Sequence, residues 1–179
     1  MAGLALLRVA PLLSATSYIT FTFSEDTFIR PLVHTGPSAP ATELRRHANR
    51  ILPAHNTFVR RGLPFIFLSY PLSIATAAAN LARQDDGSLS FAGDAAPRAR
   101  AAAAFYTAGM VLSVLHFPFG PAAMACLNLV GQDKGVDDDP KADNTAAMAK
   151  WLKINAIRGL VADFPSWVCY FIAFLCVMS

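Results

Sequence analysis

The chain has 179 residues, of which 54% are hydrophobic and only 15% are charged, whereas soluble domains carry about 25% charged residues. This composition excludes an ordinary soluble domain and a disordered chain, and three cysteines are too few and odd in number for a disulfide scaffold. The formal net charge of +3 is too small to indicate nucleic-acid binding. The high hydrophobic fraction and the low charged fraction together indicate a lipid bilayer as the environment.

Four apolar segments are long enough to cross a bilayer, which requires about 20 mainly apolar residues in a helix. They cover residues 4–23, 62–81, 101–120 with a continuation to 131, and 159–178. We therefore predict an all-α fold, an integral membrane four-helix bundle, that forms a single transmembrane domain over residues 1–179. A cleaved signal peptide is the alternative for the first segment, but no Lys or Arg precedes Arg8 and no small-residue cleavage site follows.

The connections between the spans differ in composition. Residues 24–61 are polar and contain TELRRHANRIL, which predicts a short amphipathic helix at headgroup level. Residues 82–100 have the composition of a flexible loop. Residues 132–150 combine an acidic, turn-rich stretch with a helical start to the last span.

Lys and Arg are concentrated in the first loop (residues 24–61) and the third loop (residues 132–158), which hold six and five of them, against three in the middle loop and one at the amino terminus. With four spans these two loops share a side of the membrane, and the positive-inside rule assigns that side to the cytosol. We expect an endomembrane location, in the endoplasmic reticulum or another organelle.

A polar stripe runs along the first span. Because successive residues of an α-helix are rotated by about 100°, four polar residues fall within an arc of about 80°: Ser14, Tyr18, Thr22 and Glu25. One interpretation is a cavity wall with the carboxylates of Glu25 and Asp26 at its mouth. The alternative is a cap at the membrane surface, with both carboxylates in water.

The last span begins with the pattern W-x3-N-x2-R, formed by Trp151, Asn155 and Arg158, and Asp163 follows five residues later. A charge inside lipid costs at least about 2.5 to 3.5 kcal/mol on insertion scales, so it usually faces the bundle interior and has a partner. Arg158 could instead reach the headgroups, and Asp163 could make a structural hydrogen bond or ion pair. A buried carboxyl group that keeps its proton would suit a general acid.

The third span contributes His116, near the middle of an apolar run, and Asn128 further along. A lone histidine is more often a satisfied interior residue than a catalyst. The ends of spans one and three and the starts of spans two and four lie on the same side, so their polar groups are predicted to converge at one end of the bundle. The sequence contains no metal-binding, dinucleotide or phosphate-loop motif, and we expect a reaction without a metal or cofactor.

Two segments carry a resemblance to a known family, the third span, FYTAGMVLSVLHFPFGPAAMACLNLVG, and the W-x3-N-x2-R start of the fourth span. They resemble the small four-span anthrone-oxygenase-like membrane family of fungal polyketide pathways. The resemblance covers most of the chain in its plan and depends on a few residues, mainly Asn128, Trp151, Asn155 and Arg158. It implies a cofactor-independent tailoring enzyme that acts on a lipophilic metabolite.

The chain departs from the anthrone oxygenases in three places. The third span reads LHFPFGP instead of a P-W-T-like run, the fourth continues VADFPSWVCYF with an added carboxylate, and the first loop opens with SEDTFIRPLVH. These acidic features resemble small membrane epoxide hydrolases and cyclases of fungal polyene-pyrone pathways. In such enzymes an acid would protonate the departing epoxide oxygen, and a base would activate water or a hydroxyl group.

These features lead to three hypotheses for function. We slightly prefer epoxide hydrolysis or cyclisation, with Asp163 and either Glu25 or Asp26 as the acid–base pair. Six further residues would orient the substrate or water: Asn155, Arg158, His116, Trp151, Tyr18 and Asn128. The alternatives are an anthrone-type oxygenase that uses O2 without a cofactor, and a non-catalytic membrane scaffold subunit. The expected partners are a lipophilic small-molecule substrate and the lipid bilayer, without nucleic acid.

Overall fold

The computed structural model describes residues 2–33, 41–85, 95–132 and 144–178. Its α-helices are α1 Ala2–Val33, α2 Ala41–Asp85, α3 Ala95–Leu115, α4 Gly120–Gly131, α5 Asn144–Arg158 and α6 Phe164–Met178. A 3₁₀ turn, Phe117–Phe119, lies between α3 and α4, and a π-helical turn, Gly159–Asp163, joins α5 to α6. Three parts of the predicted loops, residues 34–40, 86–94 and 133–143, lie outside the described residues.

Four helical stretches of the described chain are long and apolar enough to span a membrane: Ala2–Val33, Arg46–Arg83, Pro97–Gly131 and Asn144–Met178. Large apolar side chains on them are exposed, among them Leu68, Val111 and Leu160, as expected where lipid takes the place of water. Each stretch contains one of the four predicted spans, so the prediction of an all-α, four-helix membrane protein is confirmed.

The first connection differs from the expectation. Residues 24–33 continue α1, and the segment TELRRHANRIL belongs to α2, which runs on into the second span. The predicted amphipathic segment is therefore helical, but it is the first part of a long helix and not a separate element. The reason is that polarity marks the edge of a bilayer without stopping a helix, and Pro53 and Pro64 each remove only one backbone donor.

The chain divides into two compact units. The first unit consists of Met1–Thr20, Phe65–Phe117 and Gly159–Ser179, and the second of Phe21–Pro64 and Pro118–Arg158. Each unit contains its own buried polar residues as well as its own apolar core.

Different helix pairs build the two units. In the first unit α3 packs against α6, and the approach is close, because a Cβ atom on Gly109 would lie 2.6 Å from the ring of Tyr170. In the second unit α4 packs against α5. The core of the second unit includes Ile29, Leu52, Leu127, Val130 and Trp151.

The third span is interrupted at His116. Helix α3 ends at Leu115, and the N–H of His116 donates to the Ser113 carbonyl at 3.4 Å. Pro118 explains the interruption, because it has no N–H and disfavours the helical conformation of the residue before it.

The fourth span is interrupted just before Pro165. In a regular α-helix the N–H of residue 165 would donate to the Val161 carbonyl, and proline lacks that donor. The chain forms a π-helical turn that ends at Asp163. Turns of this kind inside α-helices are frequent at functional sites.

Candidate active site

A buried carboxylate–imidazole pair lies in the first unit. The Nδ1 atom of His116 is 3.0 Å from the Oδ1 atom of Asp163, and the two side chains are 10% and 2% exposed. Because a carboxylate can only accept a hydrogen bond, an ionised Asp163 fixes the imidazole proton on Nδ1. Such a pair can hold or transfer a proton where water is excluded.

Aromatic rings pack around His116. The ring centroid of Tyr70, a buried residue of α2, is 3.7 Å from that of His116 and 4.0 Å from that of Tyr18. The rings of Phe117 and His116 are nearly perpendicular, with the centroids 5.7 Å apart. Ring packing therefore constrains the imidazole in addition to its hydrogen bond with Asp163.

A chain of buried hydroxyl groups joins three helices of the first unit. The Tyr18 hydroxyl is 3.0 Å from Ser166 Oγ, which is 2.8 Å from Ser113 Oγ, and Ser113 is 3.1 Å from the Tyr170 hydroxyl. Ser166 also donates to the Gly109 carbonyl at 3.1 Å. Hydrogen bonds between helices hold membrane bundles together, so Tyr18, a predicted substrate-orienting residue, has a structural hydrogen bond here.

A second buried polar group lies in the second unit. Glu25 and Asn155 are 3% and 4% exposed, and Nδ2 of Asn155 donates to Oε2 of Glu25 at the long distance of 3.5 Å. Within the part of the chain that the structure describes, the remaining oxygens, Oε1 of Glu25 and Oδ1 of Asn155, are buried without a hydrogen-bond partner. Arg158 donates to the Thr22 hydroxyl at 3.2 Å. This group therefore presents two unmatched acceptors.

Three predicted site residues have other surroundings. Asp26 forms an ion pair with Arg30, four residues later on α1, and both side chains are partly exposed. Oδ1 of Asn128 accepts a hydrogen bond from Arg60 at 2.7 Å, and Trp151 belongs to the apolar core. Of the predicted residues, the structure brings together His116 with Asp163, and Glu25 with Asn155. The convergence of all of them at one end of the bundle stays a prediction.

The second unit also has an open cleft of about 640 Å³, lined by Pro53, Asn56, Thr57, Arg60, Asn128, Gly131 and Gln132. Asn56 and Arg60 donate to the Leu127 carbonyl at 3.1 and 3.4 Å. A Cβ atom on Gly131 would lie 3.0 Å from Nδ2 of Asn56, so glycine leaves room for this contact. The side chains of Asn56 and Arg60 thereby provide donors for the Leu127 carbonyl, which lies near the carboxyl end of α4.

Sequence reasoning missed Tyr70. A tyrosine within an apolar span was the available signal, because polar groups in lipid need partners, but no sequence pattern links α2 to His116. Within the described ranges, no group of three or more His, Cys, Asp or Glu residues is arranged to hold a metal ion.

Comparison with known proteins identifies relatives whose sequences align with nearly the whole chain. The chain is 31% identical over 173 residues to the epoxidase pydX of an Acremonium species, and this alignment covers 96% of this chain and 94% of pydX. It is 30% identical over 177 residues to the epoxidase gkaX of Penicillium citrinum, with 98% and 97% covered, and 30% identical to the probable epoxidase scpX of Mollisia scopiformis, with 95% and 94% covered. The chain belongs to this family of fungal epoxidases.

The family assignment refines the resemblance seen in the sequence. The fungal setting and the connection with epoxides agree with the expectation, whereas none of these three relatives is named an anthrone oxygenase. No family model matches the chain, and no solved structure matches it.

Proposed function

We propose that this protein is a membrane-embedded epoxidase, a tailoring enzyme of fungal secondary metabolism that adds one oxygen atom to a carbon–carbon double bond of a lipophilic substrate. The observation that carries the proposal is the identity of 30–31% to proteins named epoxidase over at least 95% of this chain. The four apolar stretches support a substrate that enters from the bilayer.

The chemistry of the reaction defines what the site must supply. One atom of O2 enters the epoxide and the other leaves as water, so each turnover consumes two protons and two electrons. The His116–Asp163 pair is the proposed proton donor, because it is buried and hydrogen-bonded and a positioned acid or base contributes about 10²- to 10⁴-fold to a rate. The electrons come from a cellular reductant in this proposal.

The Glu25–Asn155 group is the proposed polar contact of the substrate. Its two unmatched oxygens support this role, because a buried acceptor without a donor costs about 1–3 kcal/mol and a hydroxyl or N–H group of a ligand would remove that cost. Arg158 and Thr22 would orient the group. Asp26 is left out of the proposed chemistry, since it has an ion-pair partner on its own helix.

Oxygen-18 labelling in intact cells tests the proposal, because cells supply the reductant. A fungal host that produces the protein is fed lipophilic polyenes under ¹⁸O2, and in a parallel culture in H2¹⁸O, and the products are analysed by mass spectrometry. The proposal predicts an epoxide that carries one oxygen atom from ¹⁸O2, and about a hundredfold less of this epoxide, or even less, in a matched host that produces Asp163→Asn. An epoxide oxygen from water, or the same product from the empty host, would contradict it.

Epoxide hydrolysis or cyclisation is the second candidate, and the buried carboxylate–imidazole pair favours it. Asp163 or His116 would protonate the epoxide oxygen while water or a substrate hydroxyl attacks carbon. Feeding the corresponding epoxide in H2¹⁸O separates the two candidates, since hydrolysis gives a diol with one water-derived oxygen.

Elemental and absorbance analysis of the purified protein tests the separate prediction that no metal, flavin or haem is bound.

A further inference from the structure

Tyr70 occupies the space between two other side chains of the first unit. Its ring is stacked on Tyr18 at an interplanar angle of 10° and faces His116 at 36°, with centroid distances of 4.0 and 3.7 Å. Only 1% of Tyr70 is exposed. A ring enclosed in this way cannot move without displacing both neighbours, because interiors are close-packed.

His116 needs an external constraint, because it follows the last residue of α3. Its N–H donates to Ser113 at 3.4 Å, which is longer than a usual N–H···O hydrogen bond. The outer torsion of a histidine side chain is broad and roughly two-fold, so the hydrogen bond between Nδ1 and Asp163 does not by itself fix the plane of the ring. Packing against the face of Tyr70 removes that freedom.

The support of Tyr70 leads back to the helix that carries Asp163. Tyr70 is backed by Tyr18, and the Tyr18 hydroxyl is hydrogen-bonded to Ser166. Ser166 is three residues after Asp163. His116 is therefore connected to one stretch of chain in two ways. Its hydrogen bond leads directly to Asp163, and its packing leads through Tyr70 and Tyr18 to Ser166.

We propose that Tyr70 is a positioning residue that, through its ring face and not its hydroxyl group, holds the His116 imidazole against Asp163. The effect on turnover rests on the proposed function, whereas the effect on the imidazole does not. Phenylalanine keeps the ring and should preserve the arrangement. Leucine removes the flat face and should let the imidazole exchange between orientations.

The direct test is nuclear magnetic resonance of the full chain in nanodiscs with ¹⁵N-labelled histidine, in which His116→Gln assigns the His116 signals. Wild type and Tyr70→Phe should show the same ring-nitrogen shifts, with one nitrogen protonated and hydrogen-bonded. Tyr70→Leu should show averaged or broadened His116 signals. Unchanged signals in Tyr70→Leu, or an equal change in Tyr70→Phe, would overturn the proposal.

Tyr106→Leu is the matched control, because Tyr106 is a fully buried tyrosine of the same unit whose hydroxyl bonds to the Arg8 carbonyl. It should lower stability as a large-to-small core change does and leave the His116 signals in place. If Tyr70→Leu does not yield folded protein, Tyr70→Met fills more of the volume and should give the same averaged signals. Wild-type signals in folded Tyr70→Met would contradict the proposal equally.

A kinetic measurement completes the test. With the epoxide-forming assay, Tyr70→Phe should keep turnover within about twofold, and Tyr70→Leu should lower kcat about tenfold or more with little change in KM, because only a group that acts in the reaction step is disturbed. Loss through KM alone would refute a role in positioning His116. If labelling shows no epoxide formation while the nuclear magnetic resonance result holds, the proposed function fails and the positioning role stands.

Discussion

The two units satisfy their buried carboxyl groups in different ways. In the first unit Asp163 has a histidine partner at 3.0 Å, and the ring of that histidine is packed against tyrosine. In the second unit, among the described residues, Glu25 has one hydrogen bond, at 3.5 Å, and an oxygen atom without any donor. Since buried polar groups are nearly always paired, we propose the well-paired first group as the reacting pair and the incompletely paired second group as a contact that a ligand completes.

Asp163→Asn tests the first unit and has the largest expected effect. The amide is almost the same size and can still accept a hydrogen bond from His116, but it is uncharged and can neither take up nor release a proton. Epoxide formation should fall about a hundredfold or more, as for loss of a general acid or base, while the amount of folded protein in membranes stays the same. Product measured per amount of inserted protein gives the result, and near wild-type turnover would remove Asp163 from the reaction.

Gly109→Ala tests how closely the helices of the first unit approach. The added Cβ atom would meet the ring of Tyr170 at 2.6 Å, so the ring or the helix must move. Overpacking of this kind lowers stability by about 1–3 kcal/mol, which thermal unfolding in nanodiscs should detect. Gly159→Ala is the matched control, because within the described residues no atom outside the adjoining backbone lies within 4 Å of its added Cβ. Equal stability of the two variants would contradict the close packing.

Glu25→Gln tests the second unit, and a smaller effect on turnover is expected. Glutamine keeps the shape but replaces one acceptor with a donor, so a substrate contact worth one hydrogen bond is lost, which corresponds to about tenfold. The change should appear mainly in KM, because the group binds and does not transfer a proton in our proposal. A loss in kcat as large as that of Asp163→Asn would reverse the roles of the two units.

Asp26→Asn is the neighbouring control for Glu25→Gln and should have the smallest effect. Asp26 pairs with Arg30 in an exposed i, i+4 arrangement, and such pairs contribute little. Turnover and thermal stability should both stay near their wild-type values. A marked loss of turnover would return Asp26 to the candidate acid–base groups, where the sequence alone had placed it.

The sequence predicts the membrane fold well, because apolar length is set by bilayer thickness and can be counted directly. Helical rotation also places the polar stripe on one face, since Ser14, Tyr18 and Glu25 are buried and Thr22 is half-buried. The same rotation separates two adjacent carboxylates, Glu25 inside and Asp26 partly exposed, which composition alone could not decide.

The contact between His116 and Asp163 was beyond sequence reasoning for a physical reason. Both residues lie at helix interruptions, the break after α3 and the π-helical turn before α6. A regular rotation of about 100° per residue does not hold through a π-helical turn, so side-chain directions beyond it cannot be extrapolated. The contribution of Tyr70 depends on packing between helices that are distant in sequence, and no spacing rule reports that.

Photo-crosslinking tests most directly whether the first unit is the reacting site. A long-chain polyene with a diazirine beside one double bond is irradiated with the full-length protein in nanodiscs, and the attachment points are mapped by peptide mass spectrometry. The account predicts that the diazirine carbon attaches to residues near His116 and Asp163, and that an excess of the unmodified polyene suppresses this attachment. Attachment confined to residues around Glu25 and Asn155 would contradict it.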